Sequence, residues 1–172
     1  MRRKSFMIAL AALATIAAQL SAASAKEDGW RTYANPRFGT IADYPASIFT
    51  RLEPPPENGD GQTFTGKDGT VKLSVYGSFN SAAYTPRSYV DELIRPRDAI
   101  SFERIAKNFF AVSGRRGETI WYQRCNFPGG DPDTIHCVVL EYPAAQKQEC
   151  DPIVARIAKS LRASRARQEL PK

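Results

Sequence analysis

Between Phe38 and Tyr142 apolar and polar side chains alternate mostly with a period of two, the mark of half-buried strands, and two stretches switch to a helical period. Phe38, Thr40 and Ala42 oppose Ile41, which predicts a first strand over Phe38–Tyr44, ended where Tyr44-Pro45 stops a ladder. Residues 47–52 make a short extended piece, and the proline- and glycine-rich 54–61 stretch is an irregular loop with a polyproline start. Gln62–Thr65 and Val71–Phe79 flank Lys67-Asp68-Gly69, a hairpin signal, so the first half supplies three strands. Thr85-Pro86 then caps a short amphipathic helix carrying Tyr89, Val90, Leu93 and Ile94 and stopping before Pro96. Ala99–Ala106, Phe109–Ser113, Glu118–Cys125 and Ile135–Tyr142 follow as a four-strand meander. Asp151-Pro152 predicts the start of a second helix whose stripe Ile153, Val154, Ile157, Ala158 and Leu161 lies across the sheet. The pattern as a whole is α+β: an antiparallel sheet of about six to seven strands with a short middle helix and a C-terminal helix packed on it.

The stretch Gly117–Tyr142 holds two of the three cysteines and the only histidine. If Cys125 faces Cys137, the same register sets Tyr122 opposite Leu140, Ile120 opposite Tyr142 and Arg124 opposite Val138. That face is mostly apolar and covers a core. The cysteines fall on the other face with Trp121, Gln123, Val139 and Glu141, where a disulfide closing so short a loop contributes about 3 kcal/mol. His136 and Cys137 are neighbours on a strand and point to opposite faces, so the imidazole does not activate the thiol. His136 is expected as a hydrogen-bonded side chain on the sheet surface. Cys150 is the odd thiol, either buried and inert or a competitor for one hairpin cysteine.

Charge and composition change the picture at the two ends. Arg2, Arg3 and Lys4, an apolar run from Phe6 to Leu20 and Ala23-Ser24-Ala25 follow the plan of a secretory signal peptide over 1–25, cleaved before Lys26. The apolar run is short for a membrane span, so no transmembrane segment is expected after cleavage. Removing those three cations lowers the formal charge from +6 to +3. From Val154 onward six cations stand against Glu169 alone, so the basic character belongs to the C-terminal segment. The chain is thus divided into the signal peptide, one α+β domain over 26–163 and a basic tail over 164–172, with a periplasmic or secreted location. The basic segment can meet an anionic envelope surface, although cations interleaved with apolar residues also describe a solvated helix face, the favoured reading. Without an aromatic and basic platform, nucleic acid is not expected as a partner.

Reaction chemistry is sparse. Asp60, Asp68, Asp131 and Asp133 sit in turn contexts without calcium-loop spacing, and one histidine with three dispersed cysteines does not make a zinc site, so no metal and no cofactor is expected. Glycine-rich phosphate loops and nucleophile elbows are absent. Trp30, Tyr33 and Phe38 beside the proline loop, with Glu57, Asn58, Asp60 and Gln62, are the candidate binding residues; the aromatics can equally tuck the mature N-terminus onto the sheet. Asp43, Glu57 and Asp60 are the acids a small carboxylate hydrolase would use.

Trp30-x-x-Tyr33, Asn35-Pro36-Arg37-Phe38-Gly39, Asp43-Tyr44-Pro45, the Glu57-Asn58-Gly59-Asp60-Gly61-Gln62 loop and Tyr142-Pro143-Ala144-Ala145 with Asp151-Pro152-Ile153-Val154 resemble a group of uncharacterised exported proteins of alphaproteobacteria, the rhizobia and their relatives. That resemblance spans nearly the whole mature chain and brings no activity. Phe38 followed by Tyr44-Pro45, the meander and the closing helix are also similar to the PsbP/Mog1-like α+β fold, whose members are mostly accessory or binding proteins; no catalytic residue is implied. The leading expectation is an exported, non-catalytic domain that binds or scaffolds an envelope component. The carboxylate hydrolase is the alternative, and thiol redox chemistry through Cys125, Cys137 and Cys150 is a third.

Overall fold

In the computed structural model, which describes residues 29–164, two antiparallel sheets and two helices are stacked in layers. Strands β1 (Trp30–Ala34) and β2 (Thr40–Pro45) form a small sheet completed by β10 (Arg162–Ala163). The large sheet has seven strands, β3 (Arg51–Leu52), β4 (Gly61–Thr65), β5 (Lys72–Phe79), β6 (Ile100–Ile105), β7 (Phe109–Arg116), β8 (Thr119–Asn126) and β9 (Thr134–Pro143), in the order β3-β4-β5-β9-β8-β7-β6. The Asp-Gly hairpin and the four-strand meander stand as expected, joined by the long-range pairing of β5 with β9. The predicted register also holds: Cys125 faces Cys137, Tyr122 faces Leu140, Ile120 faces Tyr142 and Arg124 faces Val138. Cys125 and Cys137 are joined in a disulfide.

Each face of the large sheet carries a packed core. Ile120, Val138, Leu140 and Tyr142 pack with Leu73, Val75 and Phe64 under the small sheet and under α2 (Lys147–Ser160), which contributes Val154 and Ile157. The opposite face, carrying Cys125, Cys137, Trp121, Phe110 and Val112, forms a second core under α1 (Pro86–Tyr89) and the π-helical turn Val90–Ile94 that continues it. Thr85 caps α1, its hydroxyl accepting from the Ser88 amide while the Ser88 hydroxyl accepts from the Thr85 amide. The single turn of α helix widens at Val90, so Val90 and Ile94, both fully buried, face the disulfide side of the sheet. Glu103 of β6 accepts from Arg87 and Arg95 and ties this helical segment to the sheet edge.

Four expectations are corrected. No strand is expected before Phe38, yet β1 forms there; its pattern is weak because Arg31 and Thr32 are exposed, and its sheet partners β2 and β10 come from opposite ends of the chain. β2 starts at Thr40 and not at Phe38, because Asn35 closes a turn: its side-chain oxygen accepts from the Phe38 amide at 2.7 Å and Gly39 takes a positive φ of 67°. α2 starts at Lys147, four residues before the Asp151-Pro152 pair. Asp151 is not its cap because the carboxylate accepts from the Tyr142 hydroxyl at 3.1 Å and pairs with Lys147. Pro152 lies in the second turn, where the missing N–H leaves the exposed Gln148 carbonyl without its helical partner. His136 is not on the surface: it is 2% exposed between the layers, with Nδ1 2.7 Å from the Thr40 hydroxyl.

The ends of the expected plan, the 1–25 signal peptide and the tail beyond Ser164, lie outside the described residues. No helix among the described residues is long and apolar enough to cross a membrane.

Candidate functional site

The meander register sets three cross-strand rows on the α2 side of the sheet. Arg104, Ala111 and Arg124 are aligned across β6, β7 and β8. Phe102, Ser113 and Tyr122 form the next row, and Ile120 beside Tyr142 the third. On the middle strand the two facing residues are small. α2 lies over β2, β8 and β9, so the β6–β7 side keeps no helix above it. A cleft of about 490 Å³ results, lined by the first two rows, Phe109, Tyr142, and Lys147, Asp151, Val154 and Ala155 of α2.

The basic row has an unusual electrostatic setting. The Arg124 guanidinium stands 4.4 Å from the centre of the Phe109 ring and that of Arg104 5.6 Å from it. Among the described residues, no carboxylate lies within ion-pair distance of either. The two other arginines nearest this edge, Arg87 and Arg95, are both paired with Glu103, which leaves β6 on the opposite face. Burial, reinforced by the like charge of Arg104, draws the Arg124 guanidinium below its ordinary value. Its Nε donates to Asn126 Oδ1 at 3.1 Å, and Asn126 donates to the Leu161 carbonyl at 2.9 Å, so the end of α2 orients Arg124. Tyr122 is half-buried and makes no side-chain hydrogen bond to a described residue; burial raises its phenol pKa.

At the other end of the cleft Lys147 pairs with Asp151, which also accepts from Tyr142. Burial and then the Asp151 charge raise the Tyr142 phenol. Three cations and one carboxylate therefore line the cleft, and the carboxylate is already satisfied.

The residues singled out in the sequence are not brought together in one place. Trp30 and Tyr33 pack against the first core, Tyr33 edge-on to Phe64 and Trp30 under the Arg156 guanidinium at 3.9 Å. Asn58, Asp60 and Gln62 line a shallower cleft of about 430 Å³ with Thr63, Ser74 and Tyr76; Glu57 is exposed beside it. That loop is strapped down: Arg37 donates to Asp60 at 2.9 Å and to the Asn58 carbonyl, and Asn35 donates to the Gly59 carbonyl at 2.8 Å. Asp43 accepts from Thr32 at 2.8 Å and faces Arg162. Cys150 is free, half-buried in the first turn of α2, its thiol pKa raised by burial and by Glu149 and Asp151. Among the described residues no three His, Cys, Asp or Glu side chains cluster to hold a metal ion.

The residues around the large cleft escaped the sequence reading, although Arg124 and Tyr122 were given their correct face. The missed signal is the run Phe109-x-Ala111-x-Ser113. Small residues at two inward positions of a middle strand leave space that their bulky neighbours on β6 and β8 surround.

The fold is similar to that of solved proteins. The solution structure of cyanobacterial PsbP (CyanoP) from Synechocystis sp. PCC 6803 superposes with a TM-score of 0.53 at 12% identity, covering 84% of this chain and 98% of that one. A crystal structure from Bacteroides thetaiotaomicron VPI-5482 gives 0.47 at 12% identity over 83% of this chain, which spans about half the length of that protein. The PsbP-like likeness is one of fold. No family model matches the sequence, and no curated protein does.

Proposed function

We propose that this is an extracytoplasmic, non-catalytic domain that binds or scaffolds an envelope component, and that the cleft between α2 and the β6–β8 face is its binding site. One observation carries the reading: two guanidiniums without a carboxylate partner face a cleft whose volume, about 490 Å³, falls among those of small-molecule sites and whose other walls are largely aromatic and aliphatic. Arg124 is half-buried and Arg104 exposed beside it, and neither has a carboxylate partner, whereas the exposed Arg87 and Arg95 on the other face share Glu103.

The disulfide suits an oxidising compartment, in keeping with the signal-peptide plan of residues 1–25 and the resemblance to exported alphaproteobacterial proteins. The lining offers the serines Ser101 and Ser113, but the histidine that would activate either is held against Thr40 between the layers. Of the acids of the hydrolase alternative, Asp43 is engaged by Thr32 and Arg162 and Asp60 by Arg37 and Asn58, while Glu57 is exposed at the surface. The thiol route meets two cysteines already joined and a third whose pKa is raised.

Expression of the whole chain from Met1 in a Gram-negative host, fractionation and native mass spectrometry test the proposal. A periplasmic product starting at Lys26, with a small molecule retained by the native protein and lost from Ala111→Phe, is the expected result. Recovery at full mass in the cytoplasm, or the same load on wild type and on the cleft-filled variant, would contradict it.

A further inference from the structure

We infer that the occupant of this cleft is a monomeric anionic amphiphile, with a carboxylate- or phosphate-type head between Arg104 and Arg124 and an apolar body lying over Phe102, Tyr122 and Val154. The inference rests on the cleft being the binding site and adds the chemistry of what it binds.

The cleft is polarised along the strands. Its first row presents two guanidiniums from the strands on either side of Ala111, both drawn over the Phe109 ring, so an anion entering at that end meets donors from both sides. The head needs no rearrangement of Arg124, already oriented through Asn126. The unbonded Tyr122 hydroxyl in the adjacent row is a further donor. An anion there supplies the counter-charge that the protein itself withholds, which makes its binding favourable in a partly desolvated setting.

The second row offers the rings of Phe102 and Tyr122, with the Ser113 and Tyr122 hydroxyls as its polar atoms. Phe102 is 49% exposed, one of the few large hydrophobic side chains in the described chain left so open, and it faces the cleft on the strand position next to Arg104. Val154 and Ala155 of α2 close the other wall. From the arginine row to Tyr142 the cleft runs four residues of strand, about 14 Å. Asp151, held by Tyr142 and Lys147, stands at that far end and disfavours a second anionic group there. The arrangement therefore selects one head at one end, with an apolar body behind it.

Four probes separate the terms: decanoate, decanol, inorganic phosphate, and unilamellar vesicles of phosphatidylglycerol, each titrated into the disulfide-bonded protein and followed by amide NMR. Decanoate below its micellar concentration is expected to shift the Ala111, Ser113, Tyr122 and Val154 amides and to bind at least about tenfold tighter than decanol or phosphate. Arg104→Gln and Arg124→Gln should each weaken decanoate about tenfold with spectra otherwise dispersed as in wild type; Ala111→Phe should abolish binding, and Lys67→Gln, in the distant β4–β5 turn, should leave it unchanged. Decanol binding as tightly as decanoate, phosphate binding as tightly, or shifts with vesicles alone would each overturn the amphiphile while leaving a ligand-binding face. Cleft amides unmoved by all four probes would overturn the site itself.

Discussion

Arg124 and Arg104 hold their guanidiniums over one ring, that of Phe109, from the strands on either side of it. The ring's face attracts both cations, but it carries no net charge, so no protein anion offsets their mutual repulsion and the partial burial of Arg124.

Removing one of these charges should therefore make the unliganded protein more stable. Arg124→Met keeps the hydrophobic stem over Phe109 and removes the partly buried charge, and we expect a gain of about 0.5–1 kcal/mol, seen as a rise in Tm of about 2–4 °C. The variant should at the same time lose the ligand. A fall in Tm of similar size would show that the cation is a structural element of the fold.

The disulfide crosses the sheet in the second core, where Cys125 and Cys137 are fully buried. Replacing both by Ala should cost about 3 kcal/mol or more, since loop entropy and core packing are lost together, as measured by urea unfolding. Thiol titration of the native, unreduced protein should count one reactive group, Cys150, reacting more slowly than a free thiol because its thiolate is disfavoured. Two or three thiols reacting at once would contradict the pairing.

At Gly77 the strand β5 passes so close to the small sheet that an added Cβ would stand 2.2 Å from Phe38 Cβ and 2.7 Å from the Thr40 hydroxyl. Thr40 in turn holds His136. Gly77→Ala should cost about 2–3 kcal/mol in urea unfolding, whereas Gly129→Ala, which meets nothing within 4 Å, should be close to neutral. Equal effects at the two positions would mean that the layers are not packed as closely as described.

Asp98 accepts from Arg116 at both oxygens, 2.6 and 2.7 Å, and its side chain is 9% exposed. That hydrogen-bonded pairing holds the carboxyl below the usual range. A depressed carboxylate contributes stability that is present above the unfolded value of about 3.9 and is lost as the pH falls through the lower folded one. Asp98→Asn should thus be less stable than wild type by roughly 1 kcal/mol at pH 7, discounted because Arg116 is half exposed, and the difference should close in acid below the unfolded value. A difference that stays constant across that range would assign the loss to something other than the ion pair.

The sequence was most legible where local pattern and tertiary partner agree. Alternation and two cysteines placed β8 against β9 in the observed register, and Thr85-Pro86 marked the start of α1. It misled where a local motif was claimed by a distant group. Asp151-Pro152 looks like a helix start until Tyr142 and Lys147 take the carboxylate, and His136 looks superficial until β2 is laid over β9. The binding residues were hardest because Arg104, Ala111 and Arg124 are ordinary residues on three strands. They become a site only when the register is carried from the disulfide out to the edge, and when α2 is seen to stop short of it.

The most direct measurement is a crystal structure grown with 11-bromoundecanoate, in which anomalous scattering locates the bromine and the density locates the head. The account predicts the carboxylate between Arg104 and Arg124 and the bromine at the Tyr142–Val154 end of the same cleft. An ordered ligand seated instead against Asn58, Asp60 and Gln62, or a cleft holding only water at saturating ligand, would contradict it.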